Sequence, residues 1–296
     1  MPVGIFVGLS TIDVVYRVDK FPVPNSKIAA QSQEVFVGGP ATNAAIAYAH
    51  LGGTASLVSA IGRHALADVI RKDIEGRGVR FLDLSPDFDL PPTISSVSVD
   101  AQGRRNVISA NGVDNAAPAA EVDERALEQA SILLVDGHYM PACKAWAAAA
   151  HAREMPVVLD GGSWKEGTEE LLANVSIAIC SADFRPPGCA NEEKTVRYLK
   201  QHGVKHVAIT HGADPVLFES GSSSGTLRVP QIEAVDTMGA GDIFHGAFCF
   251  FFSIGHGFVG ALAEAAQIAS ESCRYNGSRE WMRHVTAEAM LLAEAS

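Results

Sequence analysis

The apolar and polar residues of this chain form two kinds of segment, short apolar runs and longer amphipathic stretches. Short apolar runs, such as the one at 3–9, are bounded by polar residues and predict strands buried on both faces. Longer amphipathic stretches between these runs predict helices. The predicted strands are 3–9, 56–61, 79–84, 132–135, 157–160, 177–180 and 206–210, and the predicted helices are 65–77, 141–153, 166–173, 191–202 and those beginning near 241, 258 and 279. This alternation predicts an α/β fold whose sheet is mainly parallel and covered by helices on both faces.

Two other segments have extended propensity, and neither contains a predicted helix. They are residues 14–36 and 93–109. The second turns at 100–103, and its apolar and polar residues partly alternate, which is typical of a sheet with one covered face. We expect the two segments to form a small β lid. An antiparallel hairpin is also predicted at 215–229, near one edge of the main sheet.

The composition is that of an ordinary globular protein. Of the 296 residues, 47% are hydrophobic and 19% are charged, which suits one α/β domain over 1–296. The net charge of −11 and the lack of a basic stripe argue against nucleic acid as a partner. No apolar run is long enough to span a membrane and no signal-peptide pattern is present, so we expect a cytoplasmic protein. The scattered cysteines and histidines have no metal-binding spacing.

The most informative segment is the glycine-rich stretch at 236–242, which runs directly into an apolar sequence. It predicts a loop that becomes the first turn of a buried helix, where unpaired N–H groups and the helix dipole favour an anion. The carboxylate of Asp242 would repel a phosphate, unless its role is to take a proton from an attacking hydroxyl. An anion-binding loop beside a base indicates phosphoryl transfer to an alcohol. On this segment alone, the alternative that Asp242 only caps the helix stays open.

Two motifs together resemble those of a known family. The sequence DTMGAGD at 236–242 resembles the C-terminal signature of the ribokinase-like (PfkB) carbohydrate kinases, and GGPATNAA at 38–45 resembles their N-terminal signature. The resemblance covers nearly the whole chain. It implies the ribokinase-like three-layer fold, in which the lid closes over a sugar and often forms the contact of a homodimer.

The resemblance also implies roles for the matching residues. Asp242 would accept the proton of the attacking hydroxyl, and the N–H groups of the preceding loop would hold the phosphoryl group. The residues implied in catalysis are Asp242, Gly239, Ala240 and Gly241, and those implied in sugar binding are Asp13, Gly38, Gly39 and Asn43.

Two of the residues predicted to bind the sugar could instead have no functional role. Asp13 falls just past the first predicted strand, where a carboxylate is placed to accept two neighbouring O–H groups, but an aspartate there is also a common turn residue. Arg105 lies on the predicted lid and is within reach of a substrate, whereas a lone arginine on a lid is usually solvated.

On the nucleotide side, the chain has neither a P-loop nor a dinucleotide fingerprint. The resemblance implies that Thr210, Gly212 and Gly241 border ATP. It also implies that Asp236 and Thr237 help to hold a monovalent cation such as K⁺.

The family's Asn-x-x-Glu motif, which orders magnesium-bound water, is missing from this chain. The expected place reads Ser-Ala-Asp-Phe at 181–184, so Asp183 is a candidate replacement and Asp136 a weaker one. Relatives with relaxed versions of this motif act on ketoses, and this favours a fructose-like acceptor.

The sequence therefore predicts an ATP- and Mg²⁺-dependent sugar kinase. Two alternatives remain open: a nucleoside kinase of the same fold, and a sugar-binding sensor without catalytic activity. The presence of an acid at 242 argues against the sensor.

Overall fold

The computed structural model describes residues 1–110 and 121–285. The strands of this part are β1 (Val3–Val7), β2 (Thr11–Arg17), β3 (Ser32–Gly38), β4 (Thr54–Ser59), β5 (Arg80–Asp83), β6 (Ile94–Val99), β7 (Arg105–Ser109), β8 (Ile132–Val135), β9 (Val157–Gly161), β10 (Ile177–Ser181), β11 (His206–His211), β12 (Asp214–Ser220) and β13 (Ser223–Leu227). The helices are α1 (Pro40–His50), α2 (Ala67–Gly76), α3 (Glu124–Gln129), α4 (Met140–His151), α5 (Thr168–Leu172), α6 (Glu192–Gln201), α7 (Ala240–Ser253) and α8 (Gly257–Ser272), followed by a 3₁₀ helix (Glu280–Arg283).

Nine strands form one large sheet in the order β13-β12-β11-β10-β9-β8-β1-β4-β5. Every neighbouring pair from β11 to β5 is parallel. The last two strands, β12 and β13, add an antiparallel hairpin at one edge. The prediction of a mainly parallel α/β sheet with an edge hairpin is confirmed.

Helices cover both faces of this sheet, which explains why its strands are apolar runs rather than alternating ones. On one face, α1, α2, α7 and α8 pack into a core that includes the fully buried Trp281. On the other face, buried side chains of α3 to α6 form a second core around Trp146. The result is a three-layer arrangement, as predicted.

The lid is a separate four-stranded sheet in the order β3-β2-β6-β7. Both hairpin pairs are antiparallel, while β2 and β6 are parallel. The expected position of Asp13 was wrong in one respect: it lies inside lid strand β2, because pairing with β3 extends from Thr11 onward. The register places Asp13, Ser95 and Ser109 in one row, so these three side chains share one face of the lid.

The pattern of apolar residues missed helix α3, whose six residues are too few for a clear helical period. Its one sequence signal is Asp123, which accepts the N–H of Ala126 as an N-cap at 3.1 Å. The helix expected from 279 is a 3₁₀ helix in the described part, and its predicted continuation past 285 lies outside the described residues. No helix in residues 1–110 or 121–285 is both long and apolar enough to cross a membrane.

Candidate active site

The glycine-rich loop does become the first turn of a buried helix. Gly239 is the N-cap of α7 and has a φ of 73°, a left-handed conformation that favours glycine. Within the described part of the chain, the N–H groups of Gly239 and Gly241 have no hydrogen-bond acceptor. The N–H of Ala240 already donates to the carbonyl of Thr237 at 3.3 Å. Two of the three predicted N–H groups are therefore ready to bind an anion, and the third is partly engaged.

Asp242 lies in the first turn of α7 and accepts a hydrogen bond of 2.7 Å from the Nδ2 of Asn43. Burial, and to a lesser extent the nearby Asp160 carboxylate, raise the pKa of Asp242 to about 7. The hydrogen bond from Asn43 and the charge of His245 act in the opposite direction. A carboxyl group with a pKa near neutrality suits a general base.

Close packing of two helices brings these partners together from opposite ends of the chain. Asn43 is in the first turn of α1, and α1 packs against α7. Gly246 makes this approach possible, because a Cβ there would lie 2.3 Å from the carbonyl oxygen of Ala44. The N-termini of both helices consequently face the same site.

A cavity of about 260 Å³ lies between these helix ends and the lid. It brings together six predicted residues, namely Asp13, Gly39, Asn43, Arg105, Gly239 and Asp242. Other lining residues come from the lid strands and the loops, including Ser95, Val97, Val107, His138 and Met238. We refer to it as the acceptor cavity.

Three features shape the lid side of the acceptor cavity. The hydroxyl of Thr11 donates to Asp13 at 2.8 Å, while burial raises the pKa of Asp13. Gly38 leaves room for that carboxylate, since a Cβ there would lie 2.0 Å from Asp13 Oδ2. Arg105 also lines the cavity and donates to the hydroxyl of Thr237 at 2.9 Å, so this arginine is held at the site rather than simply solvated.

A second cavity of about 240 Å³ lies on the other side of the glycine-rich loop. Thr210, Gly212 and Gly241 line it, as predicted for the nucleotide side. Its apolar wall consists of Val216, Val229, Ile232, Phe244, Ala266 and Ala269. An apolar slot next to unpaired N–H groups fits a nucleotide, since the base is flat and the phosphates are anionic.

The segment 239–242 separates the two cavities. Gly239 and Asp242 line the acceptor cavity, whereas Ala240 and Gly241 line the second cavity, which we call the nucleotide cavity after the role predicted for its lining residues. A group passing from one cavity to the other would pass this loop.

The predicted monovalent-cation site does not suit a cation. The carboxylate of Asp236 accepts the N–H groups of Met238 at 3.0 Å and Gly277 at 3.1 Å. Arg17 lies 3.4 Å from the same carboxylate and also donates to Asn276 at 3.1 Å. The guanidinium brings a positive charge that would repel a potassium ion. We therefore assign no step to potassium.

The two candidates for a magnesium role differ in position. Asp136 is buried, and its carboxylate accepts the N–H groups of Leu9, Ala41 and His138. It holds the loops that carry the acceptor cavity and satisfies an N–H at the start of α1. Asp183 is exposed after β10. Among the described residues no group of three His, Cys, Asp or Glu could hold a metal ion.

Sequence reasoning missed Arg279, which lies next to the site. Its side chain is 12% exposed and donates to the Oδ1 of Asn43 at 2.8 Å. A single arginine after Gly277 carries no motif, and only the packing of distant elements reveals its position.

Comparison with known proteins gives a consistent picture. A family model described as "pfkB family carbohydrate kinase" matches residues 5–284. The chain is 26% identical over 236 residues to the ATP-dependent ribose-1-phosphate kinase of Halopiger xanaduensis, covering 80% of each chain. It is 24% identical over 276 residues to the ribokinase of Bacillus subtilis, covering 90% of this chain and 91% of that one.

Solved structures show the same fold. The ribokinase from Thermotoga maritima superposes with a TM-score of 0.82 at 23% identity and full coverage of both chains. The ribokinase from Arabidopsis thaliana, complexed with ribose and ATP, gives a TM-score of 0.80 at 22% identity, covering 99% of this chain and 97% of that one.

Proposed function

We propose, on the premise that this chain belongs to the pfkB family of carbohydrate kinases, that it transfers the γ-phosphate of ATP to a hydroxyl group of a sugar. The observation that carries this proposal is the position of residues 239–242 between the two cavities. ATP would lie in the nucleotide cavity with its γ-phosphate at the loop, and the sugar would lie under the lid.

In this proposal Asp242 accepts the proton of the attacking hydroxyl. Its position on the acceptor side and its raised pKa both suit that role. The free N–H groups of Gly239 and Gly241 stabilise the charge on the transferring phosphoryl group, where preorganised donors contribute most. Magnesium, bound by the phosphates of ATP, would neutralise part of their charge.

Asp13 is proposed to hold the sugar by accepting hydrogen bonds from its hydroxyl groups. The two relatives named above are a ribose-1-phosphate kinase and a ribokinase, and this favours ribose or a ribose phosphate as the acceptor. The segment 181–184 suggested a fructose-like acceptor, and the two possibilities give different outcomes in a direct assay.

The test is a panel of acceptors with ADP release as the readout and an acceptor-free reaction as the control. Ribose, ribose 1-phosphate, fructose and a purine nucleoside are the informative members. We expect ADP release with a sugar, and the amount of phosphorylated sugar formed should equal the amount of ADP released. Turnover with the nucleoside alone would favour a nucleoside kinase. No ADP release with any member, together with sugar-dependent thermal stabilisation, would favour a sensor.

We also propose that the protein forms a homodimer through the outer face of the lid. The register places Val14, Val35, Ser96 and Ile108 in one row on the face opposite Asp13. Val35 is 53% exposed and Ile108 is 76% exposed. An exposed apolar row on a sheet is a common feature of an interface between protein chains.

A further inference from the structure

The guanidinium group of Arg279 joins three parts of the molecule next to the acceptor cavity. Its Nη1 donates to the side chain of Asn43 on α1 at 2.8 Å, and its Nη2 donates to the carbonyl of Val37 at the end of lid strand β3 at 2.9 Å. Its Nε lies 3.7 Å from the carboxylate of Asp73 on α2. A side chain with these contacts is fixed in one orientation.

This contact determines which way the amide of Asn43 points. Burial lowers the pKa of Arg279 to about 10, so the group remains charged at neutral pH and acts only as a donor. The oxygen of the Asn43 amide must therefore face Arg279. Its nitrogen is then left to face Asp242, as observed at 2.7 Å.

The orientation matters because the reversed amide would present an oxygen to the carboxylate of Asp242. Two acceptors at that distance repel each other, whereas an N–H donor stabilises the ionised carboxylate and holds it in place. Asn43 is 5% exposed, so water offers little alternative partner for either end of its amide.

We propose that Arg279 is a positioning residue for the transfer reaction, which acts through Asn43 to hold the base Asp242 in its working orientation. This inference rests on the proposed function. It adds a residue that lies outside both sequence motifs and that lines neither the acceptor cavity nor the nucleotide cavity.

The test is a double-mutant cycle with Arg279→Met and Asn43→Ala, measured as kcat at saturating ATP and acceptor. Each single variant is expected to lower kcat by roughly tenfold to hundredfold, the range for a small displacement of a catalytic group. If Arg279 acts through Asn43, the kcat of the double variant is no more than about twofold below that of the less active single variant. The KM for ATP is expected to be unchanged, because the nucleotide cavity is not altered.

Arg283→Met is the matched control. This arginine is four residues further on, 77% exposed and paired with Glu280, and its replacement should leave kcat unchanged. Should Arg279→Met fail to fold, the cycle is repeated with Arg279→Lys, which keeps the charge but lacks the planar guanidinium that contacts Asn43 and Val37 through separate nitrogens.

Losses that multiply in the double variant would overturn the inference, because they would show that Arg279 acts independently of Asn43. This outcome is distinct from failure of the proposed function. A wild-type protein that releases no ADP with any acceptor would refute the proposed function and this inference together, while wild-type turnover with multiplying losses refutes the inference alone.

Discussion

At the scale of single residues, the site holds Asp242 under two opposing influences. Burial and the Asp160 carboxylate favour the protonated form, while Asn43 and His245 favour the ionised form. The balance leaves the pKa of Asp242 at about 7 rather than near 4. Such a group is about half ionised at pH 7, and its ionised form is basic enough to take a proton from an alcohol in the transition state.

This balance predicts how turnover depends on pH. Only the ionised form of Asp242 accepts a proton, so kcat should fall about tenfold per unit of pH below about 7. Burial also raises the pKa values of Asp160 and Asp13, which face Asp242, and titration of these two carboxyl groups would broaden the transition. The measurement is kcat from pH 5 to 9 with saturating substrates. A kcat that stays constant down to pH 5 would show that Asp242 is not the base.

The sequence predicted most of these residues, because glycines and an acid at a helix start have a local chemical meaning. Arg279 could not be predicted in this way. Its contacts are to Asn43, Val37 and Asp73, which are all more than two hundred residues away along the chain, and only the folded structure brings them together. Arg17 likewise meets Asp236 only through the docking of the lid.

At the scale of secondary structure, the distance between α1 and α7 determines whether Asn43 reaches Asp242. The glycine-rich loop and the apolar run after it predicted α7, but not its close contact with α1. That contact depends on Gly246, which the sequence offers only as one more small residue in an apolar run. The strands were easier to predict, since burial on both faces makes each one a continuous apolar run.

Gly246→Ala should therefore separate the two helices. The added Cβ would lie 2.3 Å from a carbonyl oxygen of α1, and overpacking of this kind costs about 1–3 kcal/mol of unfolding free energy. Urea unfolding measures the loss, and kcat should fall in parallel as Asp242 moves away from Asn43. The control is Gly260→Ala in α8, where the nearest atom is 3.5 Å away and the change should be neutral or stabilising. Equal stabilities of the two variants would contradict the packing argument.

At the scale of the whole molecule, the lid has a functional face and an apolar outer face. The inner row carries Asp13 to the acceptor cavity, and the outer row exposes Val35 and Ile108. The sequence predicted the lid from its extended segments. It did not reveal that β2 and β6 pair in parallel, because this pairing joins distant parts of the chain.

If the outer row forms a homodimer contact, Ile108→Asp should convert dimers to monomers by placing a charge in an apolar interface. Sedimentation velocity measures the change. Val69→Asp is the control, since Val69 is an apolar residue of α2 at 43% exposure and is not part of the lid sheet. A wild-type protein that sediments as a monomer, or an Ile108 variant that remains dimeric, would contradict the lid interface.

The central claim is that Asp242 accepts the proton while the neighbouring N–H groups hold the phosphoryl group. The most direct measurement is kcat of Asp242→Asn with the best acceptor, beside Asp214→Asn at an exposed position as the control. We predict a folded Asp242 variant whose kcat is lower by roughly two to four orders of magnitude, and a control with normal turnover. Near-normal turnover of a folded Asp242→Asn protein would contradict the claim.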